Sequence, residues 1–184
     1  EKFGAFENIF VKNKILSSFV VVDKNGEIID ETYVIEKISF PYFPGFRNYR
    51  ELPTMIKAFE KIKERPDIVL VSGQGIIHPR LGLASHFGLA TGIPTIGTSL
   101  SLSGFEFSNE DGSYIIKDGK KLGKVLISKK ESNPIYISPG NYITIDSAYN
   151  ICKNLIKTPH KRPEPMHIAL KYAKKIKKEL TEIR

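Results

Sequence analysis

The stretch "VLVSGQGIIHPRLGLASH", residues 69–86, decides the fold. Its first residues complete the apolar run "DIVLV" (67–71), which follows Pro66 and lacks the polar–apolar alternation of a half-exposed strand. Such a run predicts a central strand covered on both faces. The run breaks at Ser72 into the turn "SGQG" (72–75), where Gly73 and Gly75 leave room for the close approach of a backbone or a base. His78, Pro79 and Arg80 follow, and "LGLASHFGLAT" (81–91) reads as a short helix. A strand end that opens into a glycine turn faces the crevice where open α/β sheets bind their ligands. A histidine and an arginine in that crevice suit phosphate contacts, whereas a plain turn needs only the glycines.

The remaining elements assemble around this strand. "SSFVVV" (17–22) and "EIIDETYVI" (27–35) are β-rich runs joined by "DKNG", whose Asn25-Gly26 pair suits a tight hairpin turn. "LPTMIKAFEKIKER" (52–65) places Met55, Ile56, Phe59 and Ile62 on one helical face, with Pro53 near the start. "IPTIGTS" (93–99) predicts the next strand, and "KVLIS" (124–128) and "PIYIS" (134–138) two more, with "KKESN" between them. "DSAYNICKNLI" (146–156) has helical spacing behind Asp146 as the expected N-cap, and a last helix follows "RPEP" (162–165). Residues 104–121 read as an excursion without regular structure. A hairpin followed by alternating helices and strands predicts an α/β fold, a ribonuclease-H-like mixed β-sheet flanked by helices on both faces, as one domain over 1–184.

Composition narrows the partners. The chain has 184 residues and a formal net charge of +8, with basic residues concentrated in "KTPHKR" (157–162) and "KYAKKIKKEL" (171–180). A polyanionic partner and a lysine-rich solvated helix both produce such a balance. No apolar run reaches the roughly 20 residues of a membrane helix, and no secretion-signal pattern opens the sequence, so a cytoplasmic protein without membrane contact is expected. Cys152, the one cysteine, excludes an internal disulfide and lies on the apolar face of its helix, where it is read as a small buried hydrophobe.

Five blocks, "FPYFPGFRNYRE" (40–51), "SGQGIIHPRLGLASHFGL" (72–89), "IPTIG" (93–97), "NPIYISPGN" (133–141) and "RPEP" (162–165), resemble the endonuclease V family in order and spacing over nearly the whole chain. The resemblance implies a ribonuclease-H-like fold, recognition of inosine in DNA or RNA, and magnesium-dependent phosphodiester hydrolysis nearby. It also implies a wedge formed by Pro41, Tyr42, Phe43, Pro44 and Gly45. Two prolines stiffen that loop and two flat rings can fill the gap left by an extruded base. Without the resemblance the same loop reads as aromatics packing on the core. Further nucleic-acid contacts are implied for Arg47, Gly73, Gln74, Gly75, Pro79, Arg80, Gly82, Ser85, His86 and Gly97. Arg50 either joins Arg47 on phosphate or merely flanks the helix.

The family's catalytic set transfers unevenly. Its first metal-binding aspartate falls on Glu7 in "FGAFENIF" (3–10), one methylene longer, and its glutamate is present as Glu51. Its histidine is present as His78. The strand-end aspartate is replaced by Ser72, the lysine after "PTIG" by Leu100, and the histidine of the last helix by Leu170, with His167 one turn earlier. The expected catalytic residues are therefore Glu51, His78 and Glu7, with Glu7 and Glu51 as the magnesium ligands. Losing a carboxylate, an amine and an imidazole from one crevice removes charge that a hydrolytic site uses. The expectation is an inosine-binding protein with impaired or lost cleavage. The alternatives are an active nuclease with a rebuilt metal site and an interaction protein that kept only the fold.

Overall fold

In the computed structural model, which describes residues 1–182, the apolar run forms β4 (Ile68–Ser72) at the centre of an eight-stranded sheet. Its side chains alternate between two cores, Ile68 and Leu70 into one, Val69 and Val71 into the other. Both faces are covered, which is why the sequence needs no polar residue until Ser72. β1 (Lys2–Val11), β2 (Lys14–Asp23) and β3 (Ile28–Lys37) form an antiparallel meander, and β1 then pairs in parallel with β4. β5 (Thr95–Ser99) extends the parallel part, while β8 (Ile135–Asn141), β7 (Lys120–Leu126) and β6 (Tyr114–Lys117) complete the sheet antiparallel, in the order β3-β2-β1-β4-β5-β8-β7-β6.

Helices cover each face in pairs. α1 (Arg47–Lys61) and α2 (Leu83–Thr91) bury Leu52, Met55, Phe59, Leu83 and Phe87 against Phe6, Phe19, Val69 and Val71. α3 (Ile145–Asn154) and α4 (Glu164–Glu182) bury Ala148, Cys152, Met166 and Ala169 against Ala5, Val20, Leu70 and Ile96. The mixed sheet between helical layers is the ribonuclease-H-like α/β arrangement expected from the element order. Cys152 is fully buried, and desolvation pushes its thiol up. Among the described residues no helix is long and apolar enough to cross a membrane.

Three local readings change. α1 begins at Arg47 rather than Leu52, because Arg47 pairs with Glu51 one turn on and Asn48 is buried, so "RNYR" belongs to the helix. Pro53 then lies inside it. Asp146 does not cap α3; Thr144 does, its Oγ1 accepting from the Ser147 N–H at 3.2 Å, while Asp146 pairs with Lys124 at 2.7 Å. The expected excursion at 104–121 contains β6, which turns into β7 through Asp118 and Gly119, both at positive φ.

Phe87 is fully buried between Phe6 at 5.0 Å and Phe59 at 5.3 Å, so it joins α2 to β1 and α1. Phe87→Ala is expected to lower unfolding free energy by about 3–5 kcal/mol, measured by urea denaturation.

Candidate nucleic-acid interface

Glycines determine how closely the turn after β4 approaches the sheet. A Cβ at Gly75 would collide with the Pro139 carbonyl of β8, one at Gly82 with the Gln74 and Gly75 carbonyls, and one at Gly97 with the Gly75 amide and the Gly73 carbonyl. The close approach is fixed by hydrogen bonds: Gly75 N–H donates to Ser138 Oγ at 2.9 Å and Ile76 N–H to the Pro139 carbonyl at 2.7 Å. Ser85, buried on α2, donates to the Gly140 carbonyl at 3.1 Å. Gly75, Gly82, Ser85 and Gly97 therefore form the floor itself and do not line the open space above it.

That space is a cleft of about 470 Å³ at the carboxyl ends of β4 and β5. Ser72, Gly73 and Gln74 line it from one strand end, Thr98 and Leu100 from the other, and Arg47, Asn48 and Tyr42 close it from the wedge side. His78 stands at its edge, Nδ1 accepting from the Arg80 N–H at 3.2 Å; partial burial and then the Arg80 charge hold its imidazole below the usual range. His86 is turned away from the cleft toward α1, its Nδ1 2.9 Å from Asn48 Nδ2, and burial lowers it as well. Leu100, where a lysine was expected from the family pattern, is 51% exposed at the rim.

The aromatic loop projects beside this cleft. Tyr42 is 66% exposed and Phe43 53%, so the rings are displayed rather than packed in the core. The loop is nevertheless held. Phe40 meets Phe43 edge-on at 5.9 Å, the Arg50 guanidinium lies 4.7 Å from the Phe10 ring and 5.9 Å from the Tyr42 ring, and Arg80 lies 4.4 Å from the Phe46 ring. Gly45, at φ +81°, passes so near Arg80 that a Cβ there would sit 2.9 Å from its Nη1. Arg80 thus ties the glycine turn to the wedge, and Arg50, inside α1 rather than beside it, lies against the Phe10 and Tyr42 rings with its Nε unpartnered.

The acidic residues have a different arrangement. Phe6 pairs with Val71, so Glu7 stands beside Ser72 on the face covered by α4. There Arg162 donates to Glu7 at 3.3 Å. Burial pushes the Glu7 carboxyl up, while the Arg162 and Arg47 charges oppose that and the Glu51 charge adds to it. Glu51 lies on the opposite face, on α1, only 2% exposed, held by both Nε and Nη2 of Arg47 and accepting from Asn8 Nδ2 at 2.7 Å. The two carboxylates lie on either face of mid-β1, just past its pairing with β4, each bonded to an arginine, and neither lines the cleft. Asn8, Asn48 and Arg162 were not singled out from the sequence. Arg162 sits within the quoted "RPEP" block, but nothing local to it points to a partner 155 residues earlier.

These residues do not fit a magnesium ion. Magnesium takes oxygen ligands in near-octahedral geometry and is commonly anchored by one or two carboxylates that converge on it. Here the carboxylates come from opposite faces, their charges cancel against two guanidiniums, and Ser72 offers a neutral oxygen between them. Among the described residues no group of three or more His, Cys, Asp or Glu is arranged so that it could hold a metal ion. Leu170 is half-buried on α4, and His167 stacks on His160 at 3.5 Å, with His160 bonded to Glu164 at 2.7 Å.

A displayed aromatic loop beside a glycine-floored cleft, at the strand ends of the sheet, defines a ribonuclease-H-like domain with an open binding edge. The family profile for Endonuclease V matches residues 5–171. The chain belongs to the endonuclease V family. Endonuclease V of Thermosipho melanesiensis is 41% identical over 179 residues, covering 94% of this chain and 79% of that protein. The solved structure of Endonuclease V from Bacillus subtilis superposes with a TM-score of 0.88 at 30% identity, over 100% of this chain and 82% of that one. That of Ciona intestinalis Endonuclease V, in complex with a 24mer DNA containing an inosine followed by a ribo-adenosine, has a TM-score of 0.83 at 24% identity, over 100% of this chain and 87% of that one.

A histidine held below its ordinary value binds fewer protons folded than unfolded, so stability falls as pH drops through about 6.5. His78, His86 and His167 are all lowered in this way. The melting temperature is expected to fall between about pH 7.5 and 5.5, and His86→Gln to fall less steeply. Glu7, raised, acts in the opposite sense as it protonates, in both proteins alike, so the difference in slope reports His86.

Proposed function

We propose that this protein binds nucleic acid at inosine or otherwise weakened base pairs, with magnesium-dependent cleavage impaired or lost. The observation that carries the reading is the pairing of a wedge and a glycine-floored cleft with two carboxylates that lie outside the cleft lining and are each bonded to an arginine, Glu51 to Arg47 and Glu7 to Arg162. Family membership supports inosine as the target, and the fold is shared with a chain solved on inosine-containing DNA. Tyr42 and Phe43 supply flat apolar surface for the gap an extruded base leaves, and the glycine floor lets that base lie against main-chain groups. Extrusion costs less where pairing is weak, so the wedge confers preference while the basic surface supplies most of the affinity.

The residues act without a bound cation in this reading. Arg47 and Asn48 approach the strand from the wedge side, Ser72 and Thr98 offer hydroxyls at the cleft, and His78, neutral at pH 7, offers one ring nitrogen while its Nδ1 is occupied. No carboxylate lines the cleft among the described residues, and Glu51, the one paired with Arg47, lies outside its lining, so in this reading the groups at the cleft bind without a general base for attacking water.

Fluorescence anisotropy on matched and inosine-containing strands, with magnesium or with chelator, tests the reading. The expected result is an inosine preference that survives chelation, overall affinity that falls with salt, and a roughly tenfold loss of preference in Tyr42→Ala. Nicking of the inosine strand with magnesium or manganese, abolished by Glu51→Gln, would overturn the loss of cleavage and favour the rebuilt metal site. A separate prediction concerns the donor set. Ser72→Asp combined with Arg162→Leu is expected to create measurable magnesium binding by calorimetry, and Ser72→Asp alone much less, because Arg162 still occupies the Glu7 carboxylate.

A further inference from the structure

A second cleft, of about 370 Å³, opens beside the first and shares Gln74, His78 and Ser101 with it. Its far wall is the Phe105 ring. The Lys117 ammonium, from the end of β6, lies 5.2 Å from the centre of that ring. Phe105 is set against a buried cluster of Ile77, Ile115 and Val125, so the ring is fixed in place, while Lys117 belongs to none of the ion pairs among the described residues. Other lysines of the β6–β7 hairpin are engaged locally: Lys121 and Lys124 both lie over the Tyr114 ring, at 4.1 and 4.5 Å, and Lys124 also pairs with Asp146. Among the described residues no carboxylate lines either cleft, although Glu106 and Asp118 flank Phe105 and Lys117 in sequence.

A fixed aromatic wall under a cation that pairs with no carboxylate among the described residues matches two parts of one ligand, a flat base that takes the ammonium's place over the ring and the attached phosphate that the displaced ammonium meets. Continuity with the first cleft restricts what that ligand can be. A strand whose target nucleotide lies over the glycine floor passes His78 and Gln74 when it leaves, and the next space it meets is the Phe105 wall. Resting on the nucleic-acid reading above, we propose that the second cleft holds the nucleotide adjoining the recognised one, its base against Phe105 and its phosphate on Lys117, so that the protein grips an unpaired flank as well as the target. The site takes a single strand, because a base still paired to its complement cannot present its face to the ring.

The test uses single-stranded oligonucleotides carrying inosine at the centre, at the 5′ end and at the 3′ end, each with a guanosine counterpart, bound to the wild-type chain, Phe105→Leu and Lys117→Ala. The variants are expected to lose about tenfold in affinity for the central inosine and for one of the two end-placed ones, and nothing for the oligonucleotide that lacks the flank entering the cleft. Lys117→Ala, a change at a half-exposed residue that leaves the Phe105 packing intact, should also reduce the salt slope by about one. Equal losses on all three oligonucleotides, or no loss on any with melting temperatures unchanged, would overturn the proposal. Absence of any inosine-over-guanosine preference in the wild type would overturn the inosine reading instead, and the flank dependence, still measurable on the guanosine strands, would judge the second cleft separately.

Discussion

The turn after β4 lies on β5 and β8 at a distance that only main-chain atoms can tolerate, and the rest of the site follows from that contact. Gly75 and Gly97 let two backbone segments touch where any side chain would separate them. With the turn lowered onto the sheet, Ser72 and Gln74 face an open cleft, and Arg80 swings over to Gly45 and Phe46 of the aromatic loop. Ser138 and Pro139 of β8 complete the contact by accepting the turn's amides. A recognition surface made of backbone is thereby presented by strands buried on both faces, and rigidity at the site is inherited from the core beneath it.

Charge divides the molecule differently. Two carboxylates stand on opposite faces of β1, each answered by a guanidinium. A buried glutamate such as Glu51 is tolerable only with such a partner, since an uncompensated charge at 2% exposure is expensive. Arg47 beside Glu51 and Arg162 beside Glu7 leave both carboxylates compensated within the protein.

Much of this was legible locally. The β2–β3 hairpin, the doubly covered β4 and the helical faces of α1, α3 and α4 each follow from periodicity within a dozen residues. The β6–β7 hairpin carries no such local pattern around its turn, where Asp118 and Gly119 are both at positive φ, whereas in the β2–β3 loop only Gly26 is. The flanking strand segments are short, and β7 is so lysine-rich that no alternation stands out. α1 begins before its apolar stripe does, because "RNYR" has none and its stabilising pair, Arg47 with Glu51, crosses into the part that does. The blocks quoted for the family located the cleft, yet not the state of its acids. That state depends on Arg162 meeting Glu7 and on Asn8 meeting Glu51, contacts set by tertiary packing.

The two arginines that stack on the aromatic loop also bear on the thermodynamics of encounter. A flexible loop that ordered itself only on meeting its ligand would surrender backbone and side-chain freedom at that moment, weakening association. Arg80 on Phe46 and Arg50 between Phe10 and Tyr42 settle that freedom when the chain folds. On the proposed nucleic-acid reading, rings that stay outstretched in water without a ligand meet a base step with their ordering already complete, so the cost of insertion falls on opening the step and not on the loop.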